Sequence, residues 1–463
     1  MTTAGKSEDL ADLTGRALTT GFASAAFTPA EALAAVRARC DRDNGAINTV
    51  IESDWSGASK AAEDSTRRWR DGKALSALDG VPMTIKDNLL VAGMRATWGS
   101  RIYENFRPSG DEAPVARLRA AGAVFVGKTN VPEFTLQGYT SSPLFGVTRN
   151  PRAIDRTPGG STGGGAAAVA AGIGPIAIGT DGGGSIRRPA AHCGLFGFKP
   201  SVGQVARYDG FAQILHDFEV VGPIARSLED VRTAFALLRG HDMRDSRSLA
   251  AFSSARFGLS PRIAFVPRVG DAPVDPRIAR MAEETARAFE AMGCVVEEVA
   301  APFEAELASA LWSTIAAIGL AWHLNSVEGW REKVGPATLV TAERGAGHSA
   351  FDYLDALQAV ETARIDAGRF FRQWDIMMTP ATAALAWRAD EPFPESIDGR
   401  AVGPRGHAVF TGWMNLVGAA AVSLPVAMTE AEGGIGIQLA AAAGFDEALL
   451  DLAARWVETR ETV

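Results

Sequence analysis

A series of short apolar or β-branched runs separated by glycine restricts the fold of this chain more than any other feature. The runs occupy residues 81–85, 123–126 and 175–178, within a region that extends from Gly80 to Pro223. Apolar runs this short, bounded by glycine, are typical of buried strands. The middle of the chain is therefore predicted to supply several strands of a buried sheet.

Helical signals flank this region on both sides. Thr28-Pro29 and Asp275-Pro276 each place a proline at the first helical position after a capping residue, and amphipathic patterns follow both. Strand-like runs at 263–266 and 294–299 enclose the second helix. The alternation predicts an α/β fold. Because no fixed-period repeat or low-complexity linker divides the chain, we expect one domain over residues 1–463.

Composition and charge exclude several classes of protein. Hydrophobic residues make up 47% and charged residues 22% of the 463 positions, which is typical of a soluble globular protein, and the net charge of -8 argues against nonspecific binding to nucleic acid or an anionic membrane. The largely polar start lacks a signal-peptide pattern, and the Gly- and Ala-rich residues 163–179 indicate buried core rather than a membrane span. We expect a cytoplasmic protein without disulfides, because its three cysteines are far apart and form no C-x-x-C pair: Cys40, Cys193 and Cys294.

Two glycine motifs match known patterns without the structural context that those patterns need. Residues 122–129 have the spacing of a phosphate-binding P-loop, but residues 123–126 prefer a strand where a P-loop needs a flexible loop. Residues 159–163 match the G-x-S-x-G nucleophile elbow, but the preceding residues 152–158 are polar and turn-like instead of a strand. We therefore disfavour an NTPase and an α/β-hydrolase triad. None of the six histidines has the spacing of a metal site.

A third glycine motif is more informative, because it directly follows the apolar run 175–178. Here Gly182, Gly183 and Gly184 precede Ser185. Three residues without a Cβ atom let successive backbone N–H groups converge on one point, as in an anion-binding nest. The motif predicts an oxyanion hole beside a hydroxyl, and the alternative is an ordinary tight turn between a strand and a helix.

Together these segments resemble the amidase signature family, and the resemblance runs from about Phe27 to the C-terminus. Ser185 lies 24 positions after Ser161, as in that family. The segments that carry the resemblance are residues 78–87, 127–130, 145–151, 158–166, 180–189, 193–200, 375–380, 415–418 and 422–425.

The resemblance implies one α/β/α sandwich domain around a large mixed, mostly parallel twisted sheet. It implies a signature core at about 75–225 and a more variable pocket region at about 245–400. It also implies a Ser-cisSer-Lys triad of nucleophile Ser185, relay Ser161 and base Lys86, with a cis peptide bond at Ser161. The oxyanion hole would be formed by backbone amides from Gly182, Gly183 and Gly184 to Ser185. No cofactor and no metal are implied.

Several neighbours differ from the family pattern or are expected to support the triad. Thr162 and Gly165 stand where serine is more frequent in the family; Thr162 keeps a hydroxyl for supporting hydrogen bonds, whereas Gly165 loses one. Asp181 and Arg187 are predicted to pair across the nucleophile loop, with a solvated charge pair as the alternative. Asp87 either orients nearby loops or caps a turn.

The proposed base must be neutral to accept a proton. A free lysine has a pKa of about 10.4, so roughly one molecule in 2,500 would be deprotonated at pH 7. Burial lowers this pKa because it disfavours the charged form, and the apolar run 81–85 leading into Lys86 predicts such burial.

The expected activity is hydrolysis of linear amides. Aryl or apolar amides are favoured as substrates, and aryl carbamates or esters are further candidates. We expect a monomer or homodimer that binds neither nucleic acid nor membrane. The alternatives are a transamidating subunit that acts on aminoacyl-tRNA and a noncatalytic binding protein. Trp312, Trp322 and Trp330 are predicted to form a substrate flap or an oligomer contact. Candidate pocket residues, each equally compatible with the core, are Tyr139, Leu144, Phe211, Ile214 and Leu215.

Overall fold

A computed structural model describes residues 9–250, 255–429 and 431–461. Its strands are β1 Val50–Ser53, β2 Pro82–Lys86, β3 Val124–Thr129, β4 Ser141–Ser142, β5 Gly146–Val147, β6 Ile176–Asp181, β7 Phe196–Lys199, β8 Val220–Ala225, β9 Arg262–Phe265, β10 Val295–Glu298, β11 Ile376–Pro380, β12 Ser396–Ile397, β13 Arg400–Ala401, β14 Ala420–Thr429 and β15 Gly433–Ala441.

Its α-helices are α1 Gly15–Ala23, α2 Pro29–Ile47, α3 Trp55–Arg70, α4 Ala113–Ala120, α5 Gly163–Ala170, α6 Arg187–Cys193, α7 Leu228–Leu238, α8 Pro276–Ala291, α9 Ala305–Leu324, α10 Pro336–Ala346, α11 Ala350–Phe371, α12 Gly412–Leu416 and α13 Asp446–Glu461. The predicted helix starts are confirmed: Thr28 caps α2 in a capping box with Glu31, and Asp275 caps α8.

One large mixed sheet forms the centre of the molecule. It contains 11 strands in the order β1-β3-β2-β6-β8-β7-β14-β15-β11-β9-β10. The parallel pairings lie in two groups, β3-β2-β6 and β11-β9-β10, and antiparallel pairings join these groups through the middle of the sheet. The predicted α/β class is confirmed. Division of the chain into one domain stays a prediction, which is favoured by the entry of strands from β1 through β15 into this single sheet.

The strands predicted from apolar runs are present, and β3 explains why the P-loop spacing is misleading. Gly127, Lys128 and Thr129 continue β3 and pair with β1 and β2. Lys128 is fully buried, and its Nζ donates to the backbone oxygen of Asp87 at 3.0 Å. A lysine held in a strand in this way cannot lie in a loop around a phosphate.

The stretch 163–179 is buried core, as predicted, because it divides into α5 and β6. The helix α9 alone, among the described residues, has the length and hydropathy of a membrane span. Its inner face packs into an apolar cluster with residues of α10 and α11, including Ala342 and Val360. A soluble core helix meets the same criteria of length and hydropathy.

The sheet topology brings the ends of two strands together. Strands β2 and β6 are parallel neighbours, with Ile85 opposite Ile178. Their carboxyl ends therefore meet at one edge of the sheet, where Lys86 ends β2 and Asp181 ends β6. The loop with Ser185 follows β6 directly and leads into α6.

Candidate active site

Lys86 is fully buried and makes three short polar contacts. Its Nζ lies 2.9 Å from Oγ of Ser161, 3.0 Å from the backbone oxygen of Thr180 and 2.8 Å from Oγ1 of Thr180. Burial lowers the pKa of Lys86 to about 7, although the negative charges of Glu219 and Asp181 oppose this shift. A substantial fraction of this amine is therefore neutral near pH 7.

The hydrogen bonds around Thr180 fix the direction of the contact between Lys86 and Ser161. The Thr180 hydroxyl donates to Oε2 of Glu219 at 3.1 Å and accepts from Nδ2 of Asn88 at 3.1 Å. It can then only accept from Lys86, as the Thr180 carbonyl must. As an ammonium, Lys86 uses its third N–H to donate to Ser161. In the neutral amine both N–H groups are used by Thr180, so the lone pair is left to accept from the Ser161 hydroxyl.

Glu219 is ionised in this arrangement. Burial raises its pKa, but the Arg207 guanidinium and then Lys86 more than offset that effect, and the pKa of Glu219 is lowered overall. Arg207 forms ion pairs with both Glu219 and Glu112. An ionised carboxylate accepts hydrogen bonds only, so Glu219 holds the Thr180 proton away from Lys86.

Ser161 and Ser185 lie on neighbouring backbone segments. The Gly160–Ser161 peptide bond is cis, as the resemblance implied. The amide of Thr162 donates to the backbone oxygen of Ser185 at 3.1 Å, and the Thr162 hydroxyl donates to the Thr180 oxygen at 3.0 Å. Within the described ranges, the Ser185 hydroxyl forms no hydrogen bond with another residue. Hydrogen bonds of this kind often form only when substrate is bound.

Asp181 and Arg187 pair across the loop, and both side chains are fully buried, so the alternative of a solvated pair is wrong. The carboxylate also accepts from the amides of Gly184 and Ile186. Burial raises the pKa of Asp181, but the charge and hydrogen bonds of Arg187 hold it well below its usual range. Asn415 completes the network, because its Nδ2 donates to the Asp181 carboxylate and its Oδ1 accepts from Arg187.

The backbone amides of the three glycines before Ser185 differ in their hydrogen bonds. Gly184 has a φ of +110° and donates its amide to Oδ1 of Asp181 at 2.7 Å. Its amide is therefore already engaged. In the part of the chain that the structure describes, the amides of Gly182, Gly183 and Ser185 have no hydrogen-bond acceptor. These three amides are the donors that remain for an oxyanion.

Two side chains from distant segments hold the carbonyl groups of the same loop. Nε1 of Trp312 donates to the backbone oxygen of Gly182 at 2.6 Å, and Oγ1 of Thr411 donates to that of Gly183 at 2.9 Å. Because a carbonyl shares a planar peptide group with the next amide, Trp312 fixes the orientation of the Gly183 amide and Thr411 that of the Gly184 amide. Of the three tryptophans predicted for a flap, Trp312 is thus buried against the nucleophile loop, whereas Trp322 is exposed.

An apolar and aromatic cluster adjoins the loop on the α9 side. It includes Ile214 and Leu215, and a side-chain carbon built onto Gly182 would lie 2.6 Å from Cδ1 of Leu215. Phe211 stacks on Trp98 with ring centroids 4.7 Å apart. The other two predicted pocket residues, Tyr139 and Leu144, are half-buried and outside this cluster.

Asp87 orients a nearby loop, which is one of the two roles predicted for it. Its carboxylate accepts from the hydroxyl of Thr97 at 2.6 Å and from the amide of Gly99 at 3.2 Å. It does not contact Ser161 or Ser185.

Sequence reasoning missed Thr180, Glu219, Arg188, Trp312 in its contact with Gly182, and Arg405. Thr180 and Arg188 lie within residues 180–189, one of the segments that carry the family resemblance, so their position was a signal that could have identified them. Arg405 follows 220 positions after Ser185, in a loop without any motif, and only the fold brings it beside Gly183.

Comparison with known proteins shows the family of this chain. A family model described as Amidase matches residues 31–450. A glutamyl-tRNA(Gln) amidotransferase subunit of Deinococcus radiodurans is 35% identical over 459 residues, covering 92% of this chain and 93% of that protein. Acylamidase of Rhodococcus erythropolis is 30% identical, covering 97% and 95%. The crystal structure of a bacterial aryl acylamidase superposes with a TM-score of 0.87 at 25% identity, covering 96% and 95%.

Proposed function

This chain belongs to the amidase signature family, and from that premise we propose that it hydrolyses the C–N bond of linear, non-peptide amides through an acyl-enzyme on Ser185. The observation that carries the proposal is the 2.9 Å contact between Nζ of Lys86 and Oγ of Ser161, next to the glycine loop of Ser185. A buried neutral amine, a hydroxyl relay and free backbone amides are the parts that acyl transfer needs.

The proton path uses the Lys86–Ser161 contact and a hydrogen bond from Ser185 to Ser161 that forms when substrate is bound. Neutral Lys86 takes the proton of Ser161 while Ser161 takes that of Ser185, whose oxygen attacks the amide carbonyl. The amides of Gly182, Gly183 and Ser185 then stabilise the oxyanion. The C–N bond breaks as the proton returns along the relay to the leaving amine. Water uses the same relay in the second half-reaction, releasing the carboxylic acid and restoring Ser185.

The apolar cluster supports an aryl or apolar group in the substrate. Leu215 and Trp312 join this cluster to the nucleophile loop at Gly182, so a group bound against it lies near the reacting carbonyl. Aryl carbamates and esters are included in the proposal, because the same acyl-enzyme chemistry cleaves their carbonyl-heteroatom bonds.

A second candidate is the glutamine-hydrolysing subunit of a tRNA-dependent amidotransferase. The 35% identity to the glutamyl-tRNA(Gln) amidotransferase subunit favours it. The net charge of -8 favours the free-standing hydrolase instead, unless a partner protein supplies the contacts to nucleic acid.

The test uses purified wild-type protein, Ser185→Ala and the exposed-site control Ser56→Ala. Each is assayed with a primary amide, an arylanilide, an aryl carbamate and L-glutamine, following release of ammonia or arylamine. We expect wild type and Ser56→Ala to hydrolyse at least one of the first three and Ser185→Ala to hydrolyse none. Turnover of glutamine alone would favour the second candidate, and equal activity of Ser185→Ala would refute the role of Ser185.

A further inference from the structure

Two arginines beside the nucleophile loop have no carboxylate partner in the described part of the chain. Arg188 is 4% exposed, and its Nη2 donates to the backbone oxygen of Gly160 at 3.3 Å. Its Nε and Nη1 are buried and have no hydrogen-bond partner in the described structure. Buried charges of proteins are ordinarily paired, because an unpaired one is costly to desolvate.

Arg405 is half-buried and also has no carboxylate partner among the described residues. Its Cζ lies 4.0 Å from the ring centroid of Trp312, and a side-chain carbon built onto Gly183 would lie 3.6 Å from its Nη2. Its guanidinium forms no hydrogen bond or ion pair with any described residue. A guanidinium held over the face of an indole ring can still donate its N–H groups to an acceptor.

Within the described residues, no carboxylate forms an ion pair with either arginine. After burial, the charge of Arg405 is the strongest effect that lowers the pKa of Arg188, to about 9, so the two cations repel each other. The charge of Asp181 opposes this shift, but its carboxylate is already paired with Arg187. His192 and His407 are buried, and the pKa of each is lowered by burial and then by the charge of Arg188, so both imidazoles are neutral at pH 7.

We propose that the substrate supplies the missing anion: the amide carries a carboxylate, a few bonds from the scissile C–N bond, that binds Arg405 and Arg188. This inference rests on the proposed function and deepens it by naming a substrate class. Arg188 lies three residues after Ser185 and touches the residue before Ser161, while Arg405 adjoins Gly183, so an anion between them is close to the reacting carbonyl. The apolar cluster then receives the remainder of the substrate.

The experiment compares each acid with its neutral counterpart. One probe series has the carboxylate on the acyl side, as ω-amide monocarboxylates with one to four methylene groups. The other has it on the amine side, as N-acetyl ω-amino acids. The methyl esters of both series are the neutral counterparts. Because a polar site rejects a substrate that leaves its groups unpaired, we expect kcat/KM of the best acid to exceed that of its ester by about 100-fold or more.

The variant Arg405→Gln should bring this acid-to-ester ratio close to one, mainly through KM, and Arg405→Lys should restore part of it. Arg287→Gln, at an exposed arginine of α8, is the matched control and should keep the wild-type ratio. An equal loss for acid and ester in Arg405→Gln would overturn the proposal, because it would mean that Arg405 stabilises the oxyanion. A ratio near one in wild type for both series would overturn it as well.

A binding measurement separates this inference from the proposed function. Calorimetric titration of wild type and Arg405→Gln with glutarate and with its dimethyl ester needs no turnover. If no amide is hydrolysed but glutarate binds wild type and not Arg405→Gln, the anion site stands and the hydrolase proposal fails. If amides are hydrolysed but neither acid series is preferred over its esters and glutarate does not bind, the hydrolase proposal is supported and the anion site is refuted.

Discussion

Oδ1 of Asp181 lies 2.8 Å from Nη2 of Arg187, and neither side chain reaches solvent. Asp181 ends a central strand, and Arg187 begins the helix after the nucleophile loop, so the pair closes the loop that holds Ser185. The ion pair is thus a positioning element for the nucleophile rather than a surface contact.

Replacing Asp181 by asparagine should destabilise the fold strongly. The change leaves Arg187 buried with its charge uncompensated, and breaking a buried pair in this way costs about 3–5 kcal/mol. The measurement is chemical unfolding at pH 7. Asp390→Asn is the control, because its pair with Arg388 is more than half exposed, and it should change the free energy of unfolding far less than Asp181→Asn does. Similar losses in the two variants would contradict the assigned role.

The activity should depend on pH through Lys86. Its pKa is lowered to about 7, so the amine is protonated and inactive as a base below that pH. We expect kcat/KM to rise about tenfold per pH unit up to pH 7 and then to level off. Burial also lowers the pKa of Lys199 to about 7, so the pH profile of Lys199→Met is needed to tell the two amines apart. If Lys86 is the base, this variant keeps the same rise of kcat/KM with pH, which is the acidic limb of the profile. A flat profile between pH 5 and about 9 would exclude a lysine base with this pKa.

Glu219 should set the position of that acidic limb. Its charge favours protonated Lys86, so Glu219→Gln should lower the pKa of Lys86 further and move the limb to lower pH. The amide also stops acting purely as an acceptor from Thr180, so kcat should fall. Glu112→Gln, which changes the other carboxylate on Arg207, is the comparison and should move the limb less. A purely structural role of Glu219 would lower activity without moving the limb.

The sequence was sufficient to predict several strands and helices and much of the candidate site. Particular residues show the physical reasons. Strand β6 was predictable because its apolar run is short and ends at glycine, and α2 because Thr28 and Pro29 mark its start. The direction of the Lys86–Ser161 hydrogen bond was not predictable. It depends on Glu219, which the antiparallel pairing of β6 with β8 brings beside Thr180. The environment of Arg405 likewise arises from tertiary packing alone, through its stack on Trp312.

The two glycines next to the nucleophile should respond differently to substitution. Gly183 has an ordinary φ, and a carbon built on it would lie 3.0 Å from Nε1 of Trp312. Gly183→Val should therefore fold but displace Trp312 and the loop amides, lowering kcat by about 100-fold or more. Gly184 has a φ of +110°, and a carbon there would lie 2.2 Å from Oγ1 of Thr411, so Gly184→Ala should lower stability as well as activity.

Thermal unfolding and kcat, measured on the same preparations, separate the two effects. Gly45→Ala is the control, because this helical glycine has open space around it, and it should leave kcat unchanged while raising stability slightly. A Gly183→Val protein that fails to fold would support a turn that is only structural. A folded, fully active Gly183→Val would remove this residue from the oxyanion hole and leave that role to Gly182 and Ser185.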